Sequence, residues 1–61
     1  MGRNFNEGDR VIAVVNLGHG VNQGTKGVVT HVSTFHGLLS VRFENGALID
    51  GVRMEQVGHG L

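Results

Sequence analysis

The chain contains no cysteine, proline, tryptophan or tyrosine, and its five basic and five acidic residues cancel to a formal charge of zero. Each absence excludes something. Without cysteine there is no disulfide framework, so whatever supplements a small core must come from another device. The 61 residues form a single domain, 1–61, and a chain of that size buries only about 60% of the surface its unfolded form exposes. Self-association and a metal are the devices left. Zero net charge supplies no long-range field to gather a polyanion, which speaks against a nonspecific nucleic-acid coat. No apolar run approaches the roughly 18 residues of a membrane span. Met1-Gly2-Arg3-Asn4 opens no secretory signal, and Asn6 stands where an N-myristoylation motif has Ser or Thr. A cytoplasmic protein without membrane contact is expected.

What the chain does have is glycine, 11 of them, placed mostly between apolar runs. With no proline, the turns must be made by residues that tolerate positive φ. The runs are rich in β-branched residues and too short for helices, which predicts strands over 10–17, 28–32, 38–43 and 47–52, with a short fifth near Val57. Asn45-Gly46 between the third and fourth runs is a strong hairpin signal, because both turn positions accept positive φ. Gly18 to Gly24 reads as a long mobile loop. About five short antiparallel strands in series, without helices, predict an all-β closed or nearly closed small barrel.

The order of these segments resembles the SH3-like small barrels, and among them the KOW-type pattern. The matching residues are Gly8-Asp9-x-Val11 opening strand one, Gly27 followed by Val29 in strand two, and Val41-x-Phe43 in strand three. The Val-x-Phe before a turn is loosely similar to the SH3-like accessory subunit of photosystem I, and the Gly-Asp-x-Val opening to type II dihydrofolate reductases. The resemblance spans nearly the whole chain and implies a barrel that binds RNA, proteins or further copies of itself.

Strand alternation assigns the faces. With Val11 inward, Ala13 and Val15 also point in, while Arg10, Ile12 and Val14 point out. Val29 then faces in and Val28 out; Leu39, Val41 and Phe43 face in, and Leu38, Ser40 and Arg42 out. Ile12, Val14, Val28 and Leu38 form an outward apolar patch, the kind of surface that marks an interface. Two alternatives stay open: a bulge that flips one strand, or an N-terminal segment that lays Phe5 over the patch. Phe35, at a loop tip beside His36, reads either as a residue for a partner's pocket or a stacked base, or as a plug for one end of the barrel.

Other chemistry finds little material. His19 and His59 each sit in Gly-His-Gly and His31 and His36 form the one close pair, but no cysteine completes a metal set, so all four read as solvated and no metal or cofactor is expected. The glycines from Gly18 to Gly27 lead into a strand, not into the helix that a phosphate loop requires. Asp9 reads as a turn residue, and Glu7, Asp50 and Glu55 as solvated charges. The expectation is therefore a nonenzymatic binding module that docks on a protein or on itself as a homo-oligomer, through Ile12, Val14, Val28, Leu38 and Phe35. The alternative is a KOW-like nucleic-acid binder using Arg10, Lys26, Arg42, Arg53 and Phe35.

Overall fold

The computed structural model describes residues 4–60. Met1, Gly2 and Arg3, on which the secretory and lipidation readings fall, and Leu61 lie outside the described residues. Five strands form one antiparallel sheet: β1 (Arg10–Ala13), β2 (Lys26–Ser33), β3 (Leu38–Phe43), β4 (Leu48–Arg53) and β5 (Val57–His59), with a 3₁₀ turn at Met54–Gln56 before the last. The all-β expectation holds. The sheet runs in the order β4-β3-β2-β1-β5, so β4 and β5 are its two edges and the expected closure of a barrel is not made by strand pairing. Five curled antiparallel strands of this order are compatible with a small SH3-like fold. Among the described residues no helix is long and apolar enough to cross a membrane.

The inner face buries Phe5, Val11, Ala13, Val21, Val29, Leu39, Val41, Phe43, Val52 and Val57. Period-two alternation explains most of this set, and two bulges explain the departures. Val29 pairs with Val41 while His31 pairs with the adjacent Ser40, which leaves Thr30 as an extra residue in β2. Its hydroxyl donates to the Ser40 carbonyl at 3.2 Å. Beyond that bulge Val32, not His31, packs against the core. A second bulge lies in β4, where Leu39 pairs with Val52 and Val41 with Ile49, so Asp50 and Gly51 together oppose Ser40. Ile49 and Val52 can then both face inward although they are three residues apart.

Three expectations are corrected. The first strand ends at Ala13 and does not run on to 17: the chain bends after Val14, whose amide donates to the Gln56 carbonyl at 3.0 Å. Val15, expected inside, is 42% exposed because it lies past that bend. The Gly18–Gly24 connection is pinned and not free, since Val21 is fully buried and its amide closes a tight turn onto the Gly18 carbonyl at 2.8 Å. His19 and Gly20, the central residues of that turn, both have positive φ, the sign pattern of a type I′ turn. Thirdly, the hairpin over Glu44-Asn45-Gly46, closed by Phe43 N–H to Ala47 O at 2.8 Å and Gly46 N–H to Phe43 O at 2.9 Å, does not hold both Asn45 and Gly46 at positive φ. Gly46 alone takes positive φ, at 90°. Asn45 contributes through its side chain, accepting from the Ala47 amide at 3.1 Å and donating to the His19 carbonyl at 3.3 Å.

Gly27 has the least room for a side chain of the described glycines. A Cβ there would lie 2.8 Å from Val41 Cγ1, 2.9 Å from the Arg42 carbonyl oxygen and 2.9 Å from Phe43 Cδ1. The carbonyl belongs to a paired strand and cannot rotate away. Gly27→Ala is therefore expected to cost about 2 kcal/mol, or roughly 10 °C in thermal midpoint; a midpoint equal to the parent's would mean that β2 does not cross β3 at this distance.

The hairpin yields a second expectation through the backbone of Gly46. Gly46→Asn should cost about 1 kcal/mol, and Gly46→Val at least twice that, because positive φ is most costly for a β-branched residue. Equal losses in chemical denaturation would show that the position relaxes to negative φ.

Candidate binding face

The outward side of the sheet is built by the same alternation that fills the core. Cross-strand pairs place Arg10 opposite Val28, Val28 opposite Arg42, and Arg42 opposite Leu48, so one row across β1 to β4 alternates cation and aliphatic. The neighbouring row sets Ile12 against Lys26 on one side and against Gly58 on the other. Farther along β3, Leu38 stands opposite Arg53. Each outward aliphatic residue in these pairs therefore faces a basic one. Val28 is 42% exposed and Leu48 55%, while Ile12 and Leu38 are half-buried.

The sequence-derived candidates distribute unevenly over this surface. Ile12 and Val28 of the apolar set come together with Arg10, Lys26 and Arg42 of the basic set. Val14 lies beyond the end of β1 but stays close, its Cγ1 standing 3.6 Å from the point a Cβ on Gly58 would occupy. Leu38 and Arg53 share the far end of β3. Phe35 is separate: it sits on the β2–β3 loop, 91% exposed, touching His36 edge-on at a ring distance of 4.9 Å. It plugs no end of the barrel, because the short loop carries it past Ser33 and away from the core. Phe5, the other candidate cover for the patch, turns instead into the core, where it is 4% exposed and stacks on His59 at 4.4 Å. Leu48 was not among the residues singled out. The Asn45-Gly46 turn held the signal, since pairing Phe43 with Ala47 forces Arg42 against Leu48 and turns both outward.

Two shallow hollows flank Lys26. One, of about 270 Å³, is lined by Lys26, Gly27, Val28, Arg42, Phe43 and Glu44. The other, of about 330 Å³, is lined by Ile12, Lys26, His59 and Gly60. Gly27 is buried in the lining of the first, and Gly60 lines the second beside the half-buried Ile12.

Charge on this face is asymmetric although the chain is neutral. None of Arg10, Lys26 and Arg42 forms an ion pair with a carboxylate of a described residue. The nearby acids have other partners: Glu44 Oε2 accepts from the Lys26 backbone amide at 3.2 Å, and Asp50 accepts from the Ser40 hydroxyl at 2.7 Å. Asp9 accepts from the Asn6 amide at 2.8 Å and closes a turn, as its sequence context predicts. Glu7 lies 3.7 Å from His31 on an exposed part of the surface. The other histidines are spread out, His19 in its tight turn, His36 at Phe35 and His59 at Phe5. What the arrangement can do is offer aliphatic contact area framed by cations that make no ion pair among the described residues.

A pair of single-charge insertions separates the two faces of β2. Val28→Glu should leave the thermal midpoint unchanged or slightly raised, because its carboxylate would stand between Arg10 and Arg42. Val29→Glu should abolish folding at ordinary temperature, since it puts an unpaired charge into the core. Similar losses from both would show that β2 presents no free face.

Comparison of the chain with protein-family models, curated proteins and solved structures finds no match in any of the three.

Proposed function

We propose that this chain is a nonenzymatic binding module that docks onto a protein partner through the outward face of β1 to β4. The observation that carries the reading is the row Arg10, Val28, Arg42 and Leu48, in which aliphatic and basic residues alternate across four strands in the open. Exposed aliphatic area favours contact with another apolar surface. The interleaved cations set orientation and exclude partners of the wrong charge. They also weigh against a second copy as occupant, because a two-fold contact through this face would gather both copies of Arg10, Lys26 and Arg42 in one interface.

A second reading, nucleic-acid binding of the KOW type, is favoured by one observation: Phe35 stands almost fully exposed on the β2–β3 loop of a sheet that also carries Arg10, Lys26, Arg42 and Arg53. Stacking on Phe35 and phosphate contacts at the cations would then share the binding. The aliphatic residues between the cations have no part in that chemistry.

Isotope-labelled protein titrated with hexanoate, which carries an aliphatic chain and a carboxylate, is expected to shift the amides of Ile12, Val28 and Leu48, and Val28→Glu should remove the effect. Parallel titrations with mixed RNA and duplex DNA at low and high salt are expected to leave those amides in place. Nucleic-acid binding that weakens steeply with salt and is lost in Arg42→Glu and Phe35→Ala, with hexanoate inert, would replace this reading by the second.

A further inference from the structure

The two hollows are not independent, because Lys26 is a wall of both. Lys26 lies opposite Ile12 on β1, and its own strand carries Val28 two residues on. One hollow beside Lys26 takes its apolar lining from Val28, Gly27 and Phe43, with Arg42 and Glu44 at its edge; the other is lined by Ile12, His59 and Gly60. The ammonium group therefore stands between two apolar depressions. Among the described residues the carboxylate beside it is Glu44, which accepts from the Lys26 backbone amide at 3.2 Å and makes no ion pair with the ammonium. Arg10 and Arg42 flank Val28 in the next row and lack partners among the described carboxylates.

We infer that the partner presents an extended acidic segment of the pattern apolar-x-acid-x-apolar, with the acid on Lys26 and an aliphatic side chain in each hollow. This rests on the docking face proposed above and names its ligand chemistry. The spacing follows from strand geometry. From β3 across β2 to the β1–β5 boundary is about 10–14 Å at the usual separation of neighbouring strands, and residues i and i+4 of an extended chain lie on one side about 13 Å apart. The intervening residue i+2 falls over Lys26. Arg10 and Arg42 lie in the neighbouring row, alongside the motif, and Glu44 lies at its β3 end, so an additional acid is disfavoured at that end. A nucleic acid has no aliphatic groups for the hollows, and the aromatic ring that floors one of them, Phe43, is 2% exposed and offers no stacking face.

The experiment titrates the labelled full chain with acetyl-Leu-Ser-Glu-Ser-Leu-amide, with the same peptide carrying Gln for Glu, and with the peptide carrying Ser for both Leu. Expected are shifts at the amides of Ile12, Lys26, Val28 and Phe43, and binding of the Gln peptide about fivefold weaker, the increment of one exposed ion pair. The Ser peptide should bind nowhere on this face. Lys26→Gln should bind the Glu and Gln peptides equally while its circular dichroism matches the parent's. Equal affinity of the parent for the Glu and Gln peptides, shifts confined to the Phe35 loop, or a mixed-sequence oligonucleotide that moves the same amides at lower concentration would each overturn the inference. If hexanoate shifts the face but no peptide does, the motif alone fails; if neither acts, the docking face fails with it.

Discussion

The close passage of β2 over β3 at Gly27 is the constraint on which the rest depends. No side chain separates the strands there, so the Arg42 carbonyl and the Val41 and Phe43 side chains come within about 3 Å of where a Cβ would be. Phe43, Val41 and Val29 then meet on the inner side in a core that has no tryptophan or tyrosine to fill a wider gap. The same passage determines what lies outside. With β2 held down on β3, Lys26 and Val28 on either side of Gly27 are turned outward between β1 and β3, where both line the hollow beside Lys26.

Inner and outer surfaces are in this sense one design. A chain of 61 residues cannot spare apolar residues for decoration, yet Val28, Leu48 and Val14 remain substantially exposed. Basic residues stand across from the outward aliphatics, and their hydrocarbon stems can lie along such neighbours while the charged heads stay in water. That reconciles an exposed apolar surface with zero net charge. The acids that balance the chain are spent on turns and backbone amides, as Asp9 and Glu44 show, so neutrality overall coexists with a basic face.

Much of the fold was legible because local rules and global packing agree. β-branched runs, glycine punctuation and the Asn45-Gly46 turn all point to antiparallel strands, and parity from Val11 places Val29, Leu39, Val41 and Phe43 inside. Legibility failed where a single residue shifts the count. Thr30 and the Asp50-Gly51 pair each insert one residue in a ladder, and no propensity marks Thr30 as the extra member of β2. Val21 was hidden for a related reason: a buried residue within a glycine-rich loop has no periodic neighbours to reveal its side. At the candidate face, Ile12, Val28 and the cations followed from parity alone. Leu48 required the hairpin register as well, and the position of Phe35 required the loop's path, which composition does not encode.

The contact between Phe5 and His59 has a topological consequence. Their rings are stacked at 4.4 Å, although the two residues lie near opposite ends of the sequence. A polypeptide that enters this fold at Phe5 therefore passes His59 on its way out within the reach of two side chains. Such a unit can be spliced into a surface loop of another protein without prying the host's backbone apart, and it needs no linker to span its own diameter.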